Sequence, residues 1–249
     1  MGSSCSIPRP ERACSSYLVA NASTAVVADL GSGALAKLLP HRSLDMLDAV
    51  VISHMHADHF LDVIPMRYAL KYGDVRPGHK TSLYLPPGGE AMLRTLTAAF
   101  PRESHDDFLG EVYDIREYDP AAELRIGDLS VRFAPTAHYI PTFAMRFEAD
   151  GKSVTYSADT APDPSVSELA RGTTIFVCEA TLSHAAETQE PRGHSSARQA
   201  ARMAAEAGVE RLLLTHYPAT LDAAAMAADA REVFRGSLSV VDDGFSYPL

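Results

Sequence analysis

Apolar positions fall into short runs along this chain, and the spacing within each run predicts a strand or a helix. Ala49–Ser53 is a continuous β-branched run without alternation, which is typical of a strand buried on both faces. Strand-like runs at Tyr17–Ala20 and Thr24–Leu30 flank the turn Asn21-Ala-Ser and predict a hairpin. Residues 1–16, which precede it, are rich in Gly, Ser and Pro and predict a loop.

Turn dipeptides mark two further hairpins in the middle of the chain. Gly127-Asp128 separates Leu124–Ile126 from Leu129–Ala134, and Asp150-Gly151 separates Thr142–Glu148 from Ser153–Ser157. Asp-Gly favours hairpin turns because glycine readily adopts the positive φ that these turns require. Three more apolar runs predict strands: Ser82–Leu85, Thr174–Cys178 and Arg211–Thr215.

Helical spacing of apolar residues appears between these strands. The predicted helices are a short one ending at Leu39, then Phe60–Tyr72, Gly89–Phe100, Ser195–Ala207 and Leu221–Phe234. Strands outnumber helices early and alternate with them late, so we expect an α/β protein with sheets inside and helices outside. No linker or repeat divides the chain, and we expect one domain over residues 1–249.

Composition narrows the classes of function. A formal charge of −10 opposes binding to the phosphate backbone of duplex nucleic acid. No apolar run approaches the roughly 18 to 20 residues of a membrane span, and the N-terminus lacks the features of a signal peptide. The three cysteines cannot all pair within one chain, which fits a reducing compartment. We therefore expect a cytoplasmic protein that does not associate with membranes.

The segment His54-Met-His-Ala-Asp-His59 follows the buried strand and carries the strongest chemical signal. In an extended loop, residues two apart project to one side, so His54 and His56 can converge on one metal ion. A turn through Ala57 can direct Asp58 and His59 towards a second ion. Imidazole and carboxylate ligands without thiolates favour zinc, with manganese or iron as alternatives.

Three further candidate ligands follow predicted strands. His138 lies after Leu129–Ala134, Asp159 after Ser153–Ser157, and His216 directly after Arg211–Thr215. A single histidine or aspartate in such a position is most often a hydrogen-bonded loop residue. The repetition of one placement, at strand ends where a sheet can hold side chains rigidly, favours a metal centre.

In these motifs and in their order, the chain resembles the metallo-β-lactamase superfamily. The resemblance implies a four-layer αβ/βα sandwich with two divalent metal ions at one edge. It assigns one ion to His54, His56 and His138, and the other to Asp58, His59 and His216, with Asp159 bridging both. It also gives Asp29, in the sequence Asp-Leu-Gly-Ser-Gly, a structural role.

The aspartate assigned as the bridge, Asp159, reduces the number of branches of the superfamily that the chain can resemble. True β-lactamases lack it, so Asp159 favours the phosphodiesterase, ribonuclease Z and lactonase branches. Cys178-Glu-Ala-Thr181 resembles the HEAT motif of ribonuclease Z, and Gly193-His-Ser-Ser196 resembles its HST loop. These likenesses imply that His194 is the general acid, steered by Glu179, and that Asp58 and Asp159 complete the catalytic set. Without the resemblance, Glu179 could be an ordinary strand-end carboxylate, and Ser195 or Ser196 a helix cap.

The interval from His138 to Asp159 spans only 159 − 138 = 21 positions, enough for one hairpin. Ribonuclease Z enzymes insert a tRNA-binding arm in this interval. The resemblance therefore favours a compact phosphodiesterase that acts on small substrates such as cyclic nucleotides. It also suggests a homodimer. In that enzyme a hydroxide between the metals would attack the phosphorus atom. A lactonase or carboxylester hydrolase is the alternative, and a tRNA 3′ endonuclease is less favoured.

The sequence departs from the family pattern at two places. Ala158 stands where such relatives usually have glycine, and the family's first strand has no counterpart before Gly2, which leaves the natural start of the chain open. The remaining histidines lie in polar, loop-like segments, and we interpret them as solvated or structural: His41, His79, His105 and His184.

Overall fold

Two β-sheets lie between two layers of helices in the computed structural model, which describes residues 1–75, 77–100, 107–187 and 193–248. The first sheet has five strands in the order β1-β2-β3-β4-β5. They are β1 (Tyr17–Ala20), β2 (Ala25–Ala28), β3 (Ala49–Val51), β4 (Thr81–Leu85) and β5 (Tyr113–Glu117). Strands β1 and β2 form the predicted antiparallel hairpin, and the later pairs are parallel.

The second sheet has seven strands in the order β12-β11-β10-β9-β8-β7-β6. They are β6 (Leu124–Ile126), β7 (Leu129–Pro135), β8 (Phe143–Ala149), β9 (Lys152–Tyr156), β10 (Ile175–Glu179), β11 (Arg211–Thr215) and β12 (Ser237–Val240). Strands β6 to β9 pair antiparallel as a meander, whereas β9 to β12 pair parallel. The β8–β9 hairpin is the whole of the regular structure between His138 and Asp159.

Seven α-helices cover the two sheets in the described part of the chain. They are α1 (Ala34–Leu38), α2 (Ala57–Phe60), α3 (Val63–Tyr72), α4 (Gly89–Ala98), α5 (Pro164–Leu169), α6 (Ala197–Ala207) and α7 (Ala223–Arg231). Helix α6 begins with a capping box between Ser196 and Gln199, which satisfies amides at its first turn. It ends at Gly208, whose φ of 63° suits glycine in a left-handed C-cap.

Three buried clusters define the four layers. One packs helices α1 and α3 on the first sheet, through residues such as Leu38, Met66 and Leu83. The second lies between the sheets and joins Val51 to Phe147, and the third packs α6 and α7 on the second sheet. The predicted αβ/βα sandwich is confirmed, and Ala49–Val51 is buried on both faces as its sequence indicates.

Three elements, β5, α5 and β12, were not predicted from the sequence, and several predicted boundaries differ from the observed ones by a few residues. Strand β5 alternates apolar and charged residues, and α5 begins with the start signal Asp163-Pro164, so local signals existed for both. Strand β12 is short and half-exposed, which leaves little pattern. The helix expected over Phe60–Tyr72 is divided into α2 and α3, since the metal-motif segment itself starts a helical turn.

The first residues are more ordered than a solvent-exposed loop. Gly2 and Ser4 form isolated β-bridges with Ser16 and Cys14, and residues 2–5 are buried. Ser4 also bridges to Tyr217, near the end of β11. This segment therefore contacts residues that flank strands of both sheets, β1 and β11. Among the described residues, no helix combines the length and the apolar character needed to cross a membrane.

Candidate metal centre

Seven histidine and aspartate side chains meet where strands of both sheets end. Residues 54–59 follow β3, His138 follows β7, Asp159 follows β9, and His216 directly follows β11. Strands β7, β9 and β11 run in the same direction, so their carboxyl ends lie at one edge of the second sheet. Parallel strands present successive loops at the same edge, and this places residues distant in sequence side by side.

Three imidazoles form the first group, which consists of His54, His56 and His138. His56 Nδ1 lies 3.2 Å from His54 Nε2 and 3.1 Å from His138 Nε2. Oδ2 of Asp159 lies 3.8 Å from Nε2 of both His54 and His138. The four side chains direct one ligand atom each towards a common point.

A carboxylate and two imidazoles form the second group, which consists of Asp58, His59 and His216. Asp58 Oδ2 lies 3.6 Å from His59 Nε2 and 3.4 Å from His216 Nε2. The other oxygen of Asp159, Oδ1, lies 3.3 Å from His59 Nε2 and 3.5 Å from His216 Nε2. The two oxygens of Asp159 therefore face different groups.

Two buried polar atoms in this cluster have no hydrogen-bond partner within the described structure: His59 Nε2 and Asp159 Oδ1. A buried polar atom left unpaired is costly, and native structures rarely contain one without a reason. A cation placed among the ligand atoms would satisfy both. Imidazole nitrogen and carboxylate oxygen are suitable donors for Zn²⁺, so the residues fit a metal ion.

Each ligand histidine except His56 is oriented through its other ring nitrogen. The contacts are His54 Nδ1 with Ser53 Oγ at 2.9 Å, His59 Nδ1 with Asp29 Oδ2 at 2.7 Å, His138 Nδ1 with the Gly193 carbonyl oxygen at 2.7 Å, and His216 Nδ1 with Thr181 Oγ1 at 2.9 Å. Such outer contacts fix ring orientation and leave the opposite nitrogen free to bind a metal.

Asp29 has the structural role that the resemblance implies. Its carboxylate accepts hydrogen bonds from the Ser53 amide at 2.7 Å, the Ser53 hydroxyl at 2.8 Å and the Tyr156 hydroxyl at 2.8 Å. Tyr156 belongs to β9, whereas Ser53 follows β3, so Asp29 ties the two sheets together beneath His59. The carboxylate is fully buried.

Strained backbone concentrates around the site. Five non-glycine residues of the described chain have positive φ, and four of them border the cluster: Ser6 at 30°, Asp29 at 57°, Ala158 at 51° and His216 at 52°. The fifth, Asp150, occupies a hairpin turn. Residues held in this region are destabilised relative to their usual conformations, and they cluster at functional sites. A φ of 51° at Ala158 lies in the region that glycine adopts more readily than other residues.

His194 and Glu179 form a dyad beside the two groups. His194 Nδ1 donates to Glu179 Oε1 at 2.8 Å and lies 3.9 Å from Asp159 Oδ2. Glu179 is buried, and it also accepts hydrogen bonds from the amides of Thr160 at 2.8 Å and Thr181 at 3.1 Å. Burial opposes protonation of His194, but the Glu179 carboxylate outweighs it and raises the pKa of the imidazole to about 9.

His59 in the second group and the histidines of the first group differ in the direction of their pKa shifts, and therefore in their charge at pH 7. Burial lowers the pKa values of His54, His56 and His138 in the metal-free protein, so these imidazoles are neutral at pH 7. Burial also opposes the charged form of His59, but the carboxylates of Asp159 and Asp29 outweigh it and raise its pKa well above the ordinary value. Burial likewise opposes ionisation of Asp159, yet the neighbouring histidines hold its pKa well below the usual range.

The structure brings together all of the residues that the sequence analysis selected for the site: His54, His56, Asp58, His59, His138, Asp159, Glu179, His194 and His216. Ser196 is the helix cap that was the alternative reading, and the Ser195 hydroxyl donates to the Thr160 carbonyl oxygen. His41, His79 and His184 are exposed. His105 lies outside the described residues.

The outer contacts of the ligand groups were not predicted from the sequence, and two of them differ in the signal that was present. Thr181 belongs to the quoted Cys-Glu-Ala-Thr motif, so a signal for its position was present although its contact with His216 was not inferred. Ser6 lies in a segment interpreted as a loop, and no sequence pattern connects it with Asp58, which its amide contacts.

Family comparison agrees with this geometry. A sequence profile described as "Beta-lactamase superfamily domain" matches residues 17–217, and the chain therefore belongs to the metallo-β-lactamase superfamily. An uncharacterized protein of Mycobacterium leprae, ML1173, is 32% identical over 100% of this chain and 87% of its own length. Ribonuclease Z of Mycobacterium bovis is 30% identical, with 87% of this chain and 84% of that protein covered.

Solved structures share the architecture. The metallo-β-lactamase fold protein YhfI of Bacillus subtilis superposes with a TM-score of 0.86 at 26% identity, with 98% of this chain and 95% of that chain covered. Zn²⁺-bound PqqB of Methylobacterium extorquens has the same fold, with a TM-score of 0.75 at 16% identity over 98% of this chain and 90% of that one. The family match and the His/Asp cluster together support a metal-dependent hydrolase.

Proposed function

We propose that this protein is a dinuclear metal-dependent phosphodiesterase that acts on small phosphodiesters such as cyclic nucleotides. The observation that carries the proposal is the arrangement of Asp159 and His194: one carboxylate faces both ligand groups, and a histidine backed by a buried glutamate lies 3.9 Å from it. This arrangement combines a two-ion centre with a proton donor.

In the proposal, His54, His56 and His138 would hold one ion, Asp58, His59 and His216 would hold the other, and Asp159 would contribute one oxygen to each. Zinc is the proposed ion because the donors are imidazoles and carboxylates and because PqqB, which shares the fold, is Zn²⁺-bound. Manganese or iron could occupy the same donor set. Two ions held there would supply an activated water and would neutralise the charge that develops on the phosphoryl oxygens.

His194 protonates the leaving alkoxide in this proposal. Its Nδ1 is occupied by Glu179, so Nε2 remains as the proton-donating atom, and the side chain keeps 19% of its surface exposed towards solvent. Glu179 fixes the ring and stabilises its protonated form. A lactone has less need of such an acid, so the dyad favours phosphodiester chemistry over the lactonase alternative. The likeness to ribonuclease Z of M. bovis supports the same bond class.

We propose a small substrate because two features of the protein disfavour a large one. A single hairpin, β8–β9, fills the interval between His138 and Asp159. The formal charge of −10 opposes extended contact with a nucleic-acid backbone. Both features disfavour a tRNA 3′ endonuclease.

The leaving-group dependence of a His194→Gln variant tests the proposal. We expect kcat/KM for 2′,3′- and 3′,5′-cyclic nucleotides to fall by about 100-fold or more, because their alkoxide leaving groups need a proton. We expect bis(p-nitrophenyl) phosphate, whose leaving group departs without protonation, to lose less than about 10-fold. His79→Gln, at an exposed histidine, is the matched control.

Three results would count against parts of the proposal. Equal losses on both substrate classes would remove the general-acid role of His194. Turnover of a short-chain lactone with no cleavage of any phosphodiester would move the function to the ester class and leave the ligand assignment intact. Absence of bound metal from active protein would overturn the dinuclear mechanism itself.

A further inference from the structure

The N-terminal segment contains a turn that reaches the second ligand group. The backbone amide of Ser6 donates a hydrogen bond to Asp58 Oδ2 at 2.8 Å, across 52 positions of sequence. Oδ2 is the same oxygen that lies 3.4 Å from His216 Nε2 and 3.6 Å from His59 Nε2. The contact therefore falls on the oxygen that faces the proposed second ion.

This turn has an unusual backbone. Ser6 has a φ of 30°, and the amide of Ile7 donates to the carbonyl oxygen of Cys5, which closes a three-residue turn around Ser6. Three-residue turns with positive φ at the central residue are rare and strained. Such conformations persist where the surrounding structure imposes them, and often where function depends on them.

Anchors on either side of the turn impose the conformation. Before it, the Ser3 amide and hydroxyl both donate to Asp243 Oδ1, at 2.9 and 2.8 Å, and the Ser4 amide donates to the Ala13 carbonyl oxygen at 2.9 Å. After it, Arg9 and Arg12 exchange backbone hydrogen bonds. The turn is thus the tip of a fixed loop, and its amide points at Asp58.

We propose that the Ser6 turn is a positioning element for the second metal ion, which it serves by fixing the Asp58 carboxylate through a backbone amide. Metal-binding carboxylates are commonly hydrogen-bonded by outer groups, and loss of such a partner lowers metal affinity about 10- to 100-fold. The inference rests on the metal assignment in the proposed function, but it is independent of which bond the enzyme hydrolyses.

Calorimetric titration of the metal-free protein with Zn²⁺ tests the role of the amide. Ser6→Pro removes the N–H group, and we expect the second-group equivalent, identified as the one missing from Asp58→Asn, to bind about 10- to 100-fold more weakly. The other equivalent should bind as in the wild type. Ser6→Gly keeps the amide and tolerates positive φ, so it should retain wild-type affinity at both groups.

A second variant covers the case in which Ser6→Pro does not fold. Asp243→Ala removes the anchor of Ser3 without changing residues 5–7 or any proposed ligand, and we expect it to weaken the same equivalent. Wild-type affinity at the second group in either folded variant, or an equal loss in Ser6→Gly, would overturn the inference. Wild-type protein that binds fewer than two Zn²⁺ ions would instead overturn the proposed function.

Discussion

The two ligand groups share Asp159 but differ in charge and in support. His54, His56 and His138 are neutral imidazoles, oriented by a hydroxyl and a carbonyl oxygen where an outer contact exists. The second group contains the Asp58 carboxylate and a histidine, His59, backed by the buried Asp29. One edge of a fold can therefore hold two groups of different charge, three neutral imidazoles in one and a protonated histidine beside buried carboxylates in the other.

The largest expected effect comes from the residue that the groups share. Asp159→Asn removes the negative charge from both, so we expect a loss in kcat/KM of at least about 1,000-fold and fewer than two Zn²⁺ ions per chain. Metal analysis by mass spectrometry, together with phosphodiester hydrolysis, measures both effects. Asp74→Asn, at an exposed aspartate, is the control. Retention of two ions would show that Asp159 does not bridge.

We expect an intermediate effect on the free energy of unfolding, and it should differ between the two groups. His59→Ala leaves the buried Asp29 without its cationic partner, and we expect the metal-free protein to lose about 3 kcal/mol of unfolding free energy. His56→Ala removes a half-buried ring with no outer contact to a carboxylate, and we expect a loss below about 1 kcal/mol. Urea denaturation of metal-free protein measures both. Equal losses would contradict the difference in support.

The smallest expected effect is a difference in proton release. His59 has a raised pKa, so its proton persists at pH 7 in the metal-free protein and must leave when the second group binds Zn²⁺. The first group has lowered pKa values and should release none. Titration in two buffers of different ionisation enthalpy should show more proton release with the second-group equivalent than with the other. Identical heats in both buffers would refute this assignment.

The same raised pKa fixes the sign of a pH effect on stability. His59 is protonated in the folded metal-free protein above the ordinary histidine pKa of 6.5, so it contributes stability that is fully present below that value. The contribution is lost as the pH rises through the raised pKa. Low pH therefore favours protonation of His59, and high pH favours metal binding by the second group.

Local patterns in the sequence predicted most of the fold and the identity of the clustered side chains. The buried run at Ala49–Ser53 and the histidines after it are adjacent in sequence, and strand ends located His138, Asp159 and His216. Spacing divided residues 54–59 into two pairs, but it did not assign His138, Asp159 and His216 to either pair, because that assignment depends on how the sheets pack. The resemblance supplied it, and the distances around Asp159 agree.

The contact between the Ser6 turn and Asp58 could not be predicted from the sequence. This contact uses a backbone amide, which almost every residue carries, and it joins positions 52 apart. No side-chain pattern could encode it. By contrast, α5 had a start signal at Asp163-Pro164. The departure from glycine at Ala158 could be interpreted only from the structure, in which its φ is 51°.

The division of the ligands along the chain has a consequence for biosynthesis. Each group takes two ligands from residues 54–59 and the others from residues 138–216, so neither half of the polypeptide carries a complete cage. In a chain still emerging from the ribosome, the first group would be complete only after Asp159 has left the exit tunnel, and the second only after His216 has done so. Metal binding would then be a late step in folding. A bound ion would stabilise the state in which the two sheets are packed against each other.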